Sequence, residues 1–248
     1  MGIKTETGFT LIEVMLFLAV SGMLAASVLV GSGITIGQQR YRDSVNSLQS
    51  YIQQQYTKVT DTINTRDQGW TCDSSGNVTV TTPPSAGQAR GTSDCVMLGR
   101  FITVDSTGTQ LTASNVVGAY NANGVTQSSD VAEITTNYKL GVSPLDQDAQ
   151  AVSWSAQVVK PNTTTPQPIS ILILRSPLSG SVLTFVASGV QTNLNSMVKT
   201  AALGLQSDLC VNASVGTFMG KRMEVRIIPY ATSQGAIQVP TESNSICG

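Results

Sequence analysis

Residues 8–13 read Gly-Phe-Thr-Leu-Ile-Glu, and residues 14–30 continue as VMLFLAVSGMLAASVLV, with no charged residue between Val14 and Gln39. This apolar run is long enough to cross a bilayer as a helix, which takes about 20 residues. A single crossing segment has to be helical because lipid offers the backbone no hydrogen-bond partners. The sequence therefore predicts a membrane-length helix near its N-terminus.

The carboxylate of Glu13 stands at the start of this apolar run. Phe9, Thr10, Leu11 and Ile12 precede it, so Glu13 lies about one helical turn inside the segment. A charged carboxylate inside a bilayer costs about 2.5–3.5 kcal/mol on insertion scales, and such residues usually have a partner and a role. The alternative is that Glu13 marks only the polar edge of the span.

Beyond the span, apolar residues recur at steps of three and four from Tyr41 to Ile63. This spacing is typical of an amphipathic helix with one apolar stripe. The first proline is at position 83, so one helix can continue from Phe9 to Ile63. We expect residues 9–39 to lie in lipid or in the core of a fibre, and residues 40–68 to pack on a globular head.

Residues 69–248 form the expected head, in which short β-branched runs alternate with turn residues. The run Ile169–Leu174 is almost wholly apolar and predicts a central strand that is buried on both faces. Residues 152–159 alternate between apolar and polar and indicate a half-exposed strand, whereas Leu194–Leu205 favours a short helix. The candidate strands are Val78–Thr82, Val96–Val104, Val131–Tyr138, Val152–Val159, Ile169–Leu174, Val182–Ala187 and Met223–Ile228.

The composition argues against an enzyme and gives no sign of a cofactor. The chain has no histidine, which excludes Ser-His-Asp and Cys-His catalysis. Ser196 and Lys199 match the S-x-x-K pattern of penicillin-recognising enzymes, but the partner motifs are missing. Asp146 and Asp148 offer two oxygen ligands of the kind calcium prefers, although two carboxylates are more typical of a turn. The net charge of −1 leaves no electrostatic footprint for nucleic acid.

The order of Gly8, Phe9, a hydrophobic trio, Glu13 and a long apolar run resembles the processing site of type IV pilins and of type II secretion pseudopilins. This resemblance implies an α+β, pilin-like fold in which a long N-terminal helix packs on an antiparallel β-sheet head. It also implies that prepilin peptidase removes residues 1–8 as a leader and that Phe9 becomes N-methylated. Glu13 would then neutralise the terminal amine of a neighbouring subunit, since a buried anion becomes tolerable beside a cation.

The resemblance also implies partners and a location. The head would lie outside the cytoplasmic membrane, and an inner-membrane assembly platform with its ATPase would add the chain to an extracellular or periplasmic filament of pilin or pseudopilin subunits. The long head favours a minor pilin or a pseudopilin. Gly22, Gly31, Gly33 and Gly37 would let helices approach closely, or let this helix melt within a fibre.

A head outside the cytoplasm is expected to form disulfides from its cysteines, which are Cys72, Cys95, Cys210 and Cys247. Four cysteines allow three connectivities. Pairing of sequence neighbours favours Cys72–Cys95 and Cys210–Cys247, and the second bridge would hold the carboxyl terminus as the C-terminal loop of many pilins is held. A zinc site is the alternative, but the chain has no C-x-x-C pair.

Other interpretations of the N-terminus remain open. A secretory signal peptide could be cut after Ser27, although its leader is not basic and the apolar run continues past that point. An uncleaved anchor would leave a membrane-anchored extracytoplasmic binding protein or adhesin that does not polymerise, or an anchored enzyme. Charge counting does not support the orientation that the pilin interpretation requires, with the N-terminus inside, because Lys4 stands alone before the span while Arg40 and Arg42 follow it.

Overall fold

The computed structural model describes residues 10–61, 70–73, 77–80, 95–121, 123–145, 147–201, 205–213, 222–240 and 246–247. Within these ranges there are three α-helices, which are α1 (Leu11–Thr60), α2 (Asp130–Asn137) and α3 (Leu194–Thr200). Two short 3-10 turns occupy Ser153–Ser155 and Gln234–Ala236. The strands in the same ranges are β1 (Trp70–Cys72), β2 (Val78–Val80), β3 (Cys95–Val104), β4 (Gln110–Tyr120), β5 (Tyr138–Val142), β6 (Asp148–Ala151), β7 (Gln157–Val159), β8 (Ile169–Arg175), β9 (Val182–Ser188), β10 (Ser207–Asn212), β11 (Glu224–Ile227) and β12 (Ile237–Gln238).

Helix α1 is unbroken over 50 residues, which corresponds to about 75 Å. It begins at the N-cap Thr10, whose side chain accepts a hydrogen bond from the backbone of Glu13, and it ends where the Asp61 N–H donates to Thr57 O. A single helix that joins the apolar and amphipathic segments is therefore confirmed for the described residues. It continues through the glycine-rich segment 31–37 in the isolated chain.

The strands of the head form antiparallel sheets. The largest has the order β5-β4-β3-β8-β9, with β6 also paired to β4. A four-stranded sheet has the order β12-β11-β10-β7, and β1 pairs with β2 in a small two-stranded sheet. The fold is thus α+β, as expected.

Helices cover both faces of the six-stranded sheet. The amphipathic half of α1, residues 40–60, packs on one face together with the inner side of the four-stranded sheet. Helices α2 and α3 pack on the opposite face. Strand β8 lies between these layers, with Ile171 in the first core and Leu172 in the second, and both are fully buried. The expectation of a central strand buried on both faces is confirmed.

The predicted strand Val131–Tyr138 is wrong, because most of it forms helix α2. Its β-branched composition hid the helical spacing of Val131 and Ile134, which pack toward one core. Ser129 caps this helix by accepting a hydrogen bond from the Ala132 N–H at 3.3 Å. An acidic residue in the first turn also favours a helix start at Asp130.

The predicted strand Val152–Val159 is only partly right. A 3-10 turn occupies Ser153–Ser155 and confines the strand to β7. Strand β4 had no counterpart among the candidates, because Ser114 and Asn115 break its apolar run, yet both are buried. The predicted helix Leu194–Leu205 is present as the shorter α3, which ends at Thr200.

Candidate functional site

The apolar half of α1, defined here as residues 11–39, projects beyond the head. Its large side chains are exposed, including Ile12 at 77 %, Phe17 at 70 % and Met23 at 77 %. Among the residues that the structure describes, one helix is long and apolar enough to cross a membrane, and none of its apolar window is buried. So large an uncovered apolar surface indicates contact with lipid or with another protein.

Glu13 lies in the first turn of α1, on this exposed surface. Its backbone N–H donates to Thr10 O at 3.0 Å and lies 3.4 Å from Thr10 Oγ1. A carboxylate in the first turn is favoured by the positive end of the helix dipole. The predicted cleavage and methylation residues, Gly8 and Phe9, lie outside the described residues, so their geometry relative to Glu13 stays a prediction.

Three glycines of the apolar half, Gly22, Gly31 and Gly33, have no packing partner among the described residues of this chain. A Cβ atom added at Gly22, Gly31 or Gly33 would have no heavy atom within 4 Å. Each glycine weakens the helix by about 1 kcal/mol relative to alanine. At these three positions the small size therefore gains nothing within the chain, whereas it would allow close approach by a second helix.

The head begins to cover α1 at Tyr41, directly after the apolar half. The Tyr41 hydroxyl donates to Val211 O at 2.7 Å and accepts from the Met223 N–H at 2.6 Å. Burial raises the pKa of this phenol above its ordinary value, so it stays a neutral donor. One helical turn later, Ser44 Oγ donates to Ser153 O at 2.6 Å. These bonds fix the head at the end of the exposed segment.

A buried polar network holds the far part of α1 to the six-stranded sheet. Arg100 of β3 is 3 % exposed, and its Nε donates to Gln55 Oε1 at 2.9 Å. Its guanidinium also donates to Asn115 Oδ1. Gln55 Nε2 continues to Asp148 Oδ2 at 3.4 Å, where Lys58 Nζ donates at 2.8 Å. The hydrogen bond from Lys58 lowers the pKa of the Asp148 carboxyl.

The polar network around Arg100 was not predicted from the sequence. The signal that could have found it is a lone arginine inside the long apolar strand β3, since buried charges need partners. The Asp148 carboxylate, one of the two calcium ligands considered from the sequence, already forms an ion pair with Lys58. This ion pair argues against a calcium ion at Asp148. Asp146 lies outside the described residues.

The structure forms the two disulfides that the sequence favours, Cys72–Cys95 and Cys210–Cys247. The first joins β1 to β3, and the second joins β10 to the C-terminal residues 246–247. A zinc site would need the thiolates of Cys210 and Cys247 beside Glu224, but these two sulfurs are bonded to each other.

The C-terminal bridge is reinforced by a buried carboxylate. Glu224 is fully buried, its Oε2 accepts from the Ile246 N–H at 3.0 Å, and it forms an ion pair with Arg226. Arg226 Nε in turn donates to Asp208 Oδ1 at 2.6 Å. Residues 246–247 are therefore held by a covalent bond and by a hydrogen bond to a charged group.

The S-x-x-K pair lies on the outer surface of α3. Ser196 and Lys199 are both exposed. The Ser196 N–H donates to the helix cap Asn193 at 2.9 Å, and its carbonyl accepts from Thr200 Oγ1 at 2.9 Å. These contacts are those of an ordinary helix surface, as the sequence favours.

No protein-family model, curated protein or solved structure matches the chain. The long apolar helix followed by a β-rich, doubly bridged head is compatible with a pilin-like protein.

Proposed function

We propose that this protein is a structural subunit of a type IV pilus-like filament, as a minor pilin or a pseudopilin. The observation that carries the proposal is the apolar half of α1, which the head leaves uncovered and which bears Glu13 in its first turn. In this function the apolar half first holds the subunit in the cytoplasmic membrane with the head outside. After processing by prepilin peptidase, an assembly platform and its ATPase transfer the same helix into the fibre core.

Three features support assembly rather than anchoring alone. The exposed glycines have no packing role within the chain. Glu13 is an expensive residue for a plain anchor, because a carboxylate in lipid costs about 2.5–3.5 kcal/mol. The head is fixed to α1 by Tyr41 and by the Arg100 network, so a helix that packs in a fibre would position the head with it.

The amino terminus of the native protein tests the class. Mass spectrometry of the purified mature chain is expected to find N-methylated Phe9 and no residue before it. An intact Met1, or a chain that starts after Ser27, would refute the proposal. A chain with an intact Met1 would support the membrane-anchored binding protein that does not polymerise.

Glu13→Gln tests the assembly role with an uncharged side chain of the same size. Insertion into the membrane is expected to stay normal, since the charge is removed, while the amount of sheared filament falls at least about tenfold because the partner amine is left uncompensated. Ser27→Ala is the matched control. Among the described residues, Ser27 Oγ donates to Leu24 O of its own helix at 2.8 Å, so its removal should not affect assembly. Filaments from Glu13→Gln in normal amount would contradict the role.

A further inference from the structure

The side chain of Trp154 is displayed on the outside of the head by an unusual backbone. Trp154 has φ 58° and ψ 34°, and Ser155 follows with φ 55°. Two consecutive non-glycine residues in the left-handed region are costly, and they persist only where the surroundings impose them. Val152 and Ala156 on either side are buried, whereas Trp154 is 54 % exposed. The turn thus holds a large aromatic side chain in solvent.

This turn is fastened to α1 at the junction between the head and the apolar half. Ser44 Oγ donates to Ser153 O at 2.6 Å, and Gln150 Nε2 donates to Ser47 Oγ at 2.7 Å. The guanidinium carbon of Arg40 lies 4.7 Å from the centroid of the Trp154 ring. The indole and the arginine therefore form one cation–π pair beside the emerging helix.

The position of this pair along α1 matches the headgroup layer of a bilayer. The hydrocarbon core is about 30 Å thick, and each headgroup layer adds about 5–8 Å. Twenty residues counted from Val14 end the core at Gly33, and the Arg40 backbone then lies about 10 Å farther along the helix, just outside that layer but within reach of the headgroups for a long arginine side chain. Counted from Ile36, the last large apolar residue of the exposed segment, the distance to Arg40 is about 6 Å.

The side chains at this depth have the chemistry of a headgroup contact. Tryptophan is enriched at this level because its ring is amphipathic. Arginine forms paired hydrogen bonds with phosphate, and basic residues beside a span are attracted to anionic lipids. Arg42 is exposed within a turn of Arg40 and adds a second cation, while the exposed Asp43 adds one opposing charge.

We propose that Trp154, together with Arg40 and Arg42, contacts anionic phospholipid headgroups and seats the head on the membrane surface before the subunit is assembled. The inference rests on the membrane anchoring in the proposed function. It adds a specific lipid contact made by the head, which the apolar helix alone does not require.

The other tryptophan provides an internal reference. Trp70 is 1 % exposed and donates its indole N–H to Ser143 Oγ at 2.8 Å. It packs near Ala119, toward one end of β4, whereas the other end of β4 pairs with Ala151 near the Trp154 turn. The nine residue steps from Gln110 to Ala119 span about 30 Å, so only Trp154 would be close to the headgroups.

The test uses the full chain in liposomes of phosphatidylcholine and phosphatidylglycerol that carry a nitroxide on the lipid headgroup. The fluorescence of Trp154 is taken as the wild-type signal minus that of Trp154→Phe. In the nitroxide-labelled liposomes this difference is expected to be at least about twofold lower than in unlabelled liposomes. The fluorescence of Trp70, measured in Trp154→Phe, should be unchanged. Arg40→Gln with Arg42→Gln should reduce the quenching of Trp154 in liposomes that contain phosphatidylglycerol.

Flotation of the same liposomes separates the two possible failures. A chain that floats while Trp154 stays unquenched would overturn the lipid contact and leave the anchor standing, and the exposed indole would then be assigned to a contact between subunits. A chain that does not float would refute the membrane anchor, and with it the lipid contact that depends on it.

Discussion

Replacing Gln55 with methionine tests the polar link between α1 and the six-stranded sheet. The Gln55 side chain is fully buried, and its Oε1 accepts a hydrogen bond from Arg100 Nε at 2.9 Å. Methionine has similar length and helix propensity, but its thioether is only a weak acceptor. The substitution therefore removes the hydrogen bond to a buried cation while it keeps most of the packing.

The expected cost follows from these contacts. A hydrogen bond to a charged group contributes about 1.5–3 kcal/mol, and a buried donor that loses its acceptor adds a desolvation penalty. The second bond of Gln55, to Asp148 at 3.4 Å, is long and adds little. We expect Gln55→Met to lower the free energy of unfolding by about 2–3 kcal/mol. For a head of this size that corresponds to a fall in Tm of about 4–12 °C.

Gln54→Met is the matched control, because Gln54 is the preceding residue of the same helix and is exposed. Its effect should stay within about 0.5 kcal/mol. Both variants are unfolded with urea and by heat as full chains in detergent, and near-ultraviolet circular dichroism follows the buried aromatic residues. Equal stability of the two variants would refute the view that the Arg100–Gln55 bond holds the helix to the sheet.

Two further predictions concern the stability of the head. Replacing both cysteines of either bridge by serine should destabilise the chain by about 3–4 kcal/mol, from sequence separations of 23 for Cys72–Cys95 and 37 for Cys210–Cys247. Urea unfolding measures both losses, and an unchanged midpoint for either pair would contradict the loop-entropy argument. Tyr56 lies in the amphipathic half, where burial raises the pKa of its phenol to about 12. The neutral phenol therefore stabilises the fold fully below pH 10, and this stabilisation is lost as the pH rises toward 12. Between pH 10 and pH 12, the free energy of unfolding of Tyr56→Phe should fall by about 2–3 kcal/mol less than that of the wild type. Parallel losses in the two proteins would show that Tyr56 does not titrate there.

The long helix and the paired cysteines could be anticipated because their signals are local. An apolar run without charge and a continuous stripe from Tyr41 onward both follow from side-chain periodicity. The bridges join cysteines that are neighbours in the sequence, so proximity along the chain favoured the correct pairs. The buried strand predicted at Ile169–Leu174 was also evident, since nearly every side chain in it is apolar, and the structure extends it by one residue to Arg175.

The errors arose where tertiary contacts override the local pattern. The predicted strand Val131–Tyr138 contains several β-branched residues, yet a cap at Ser129 and a shared buried face make residues 130–137 helical. Strand β4 carries buried polar residues, and Asn115 is tolerated there because it accepts a hydrogen bond from Arg100. The exposed Trp154 interrupts the alternation expected for 152–159, since it lies in a turn that is bonded to α1 and has a left-handed backbone.

The amino-acid sequence alone determined that this chain has a long helix with an apolar first half, a carboxylate at its start and a β-rich region after it. These features depend on the hydrophobicity and spacing of neighbouring residues, which act over one or two turns of the chain. Only the tertiary structure decided that the head leaves the apolar half uncovered, that Arg100 reaches Gln55, and that Trp154 stands beside Arg40. Such contacts join residues that are 45 or more positions apart, and their energies depend on burial that no local pattern specifies.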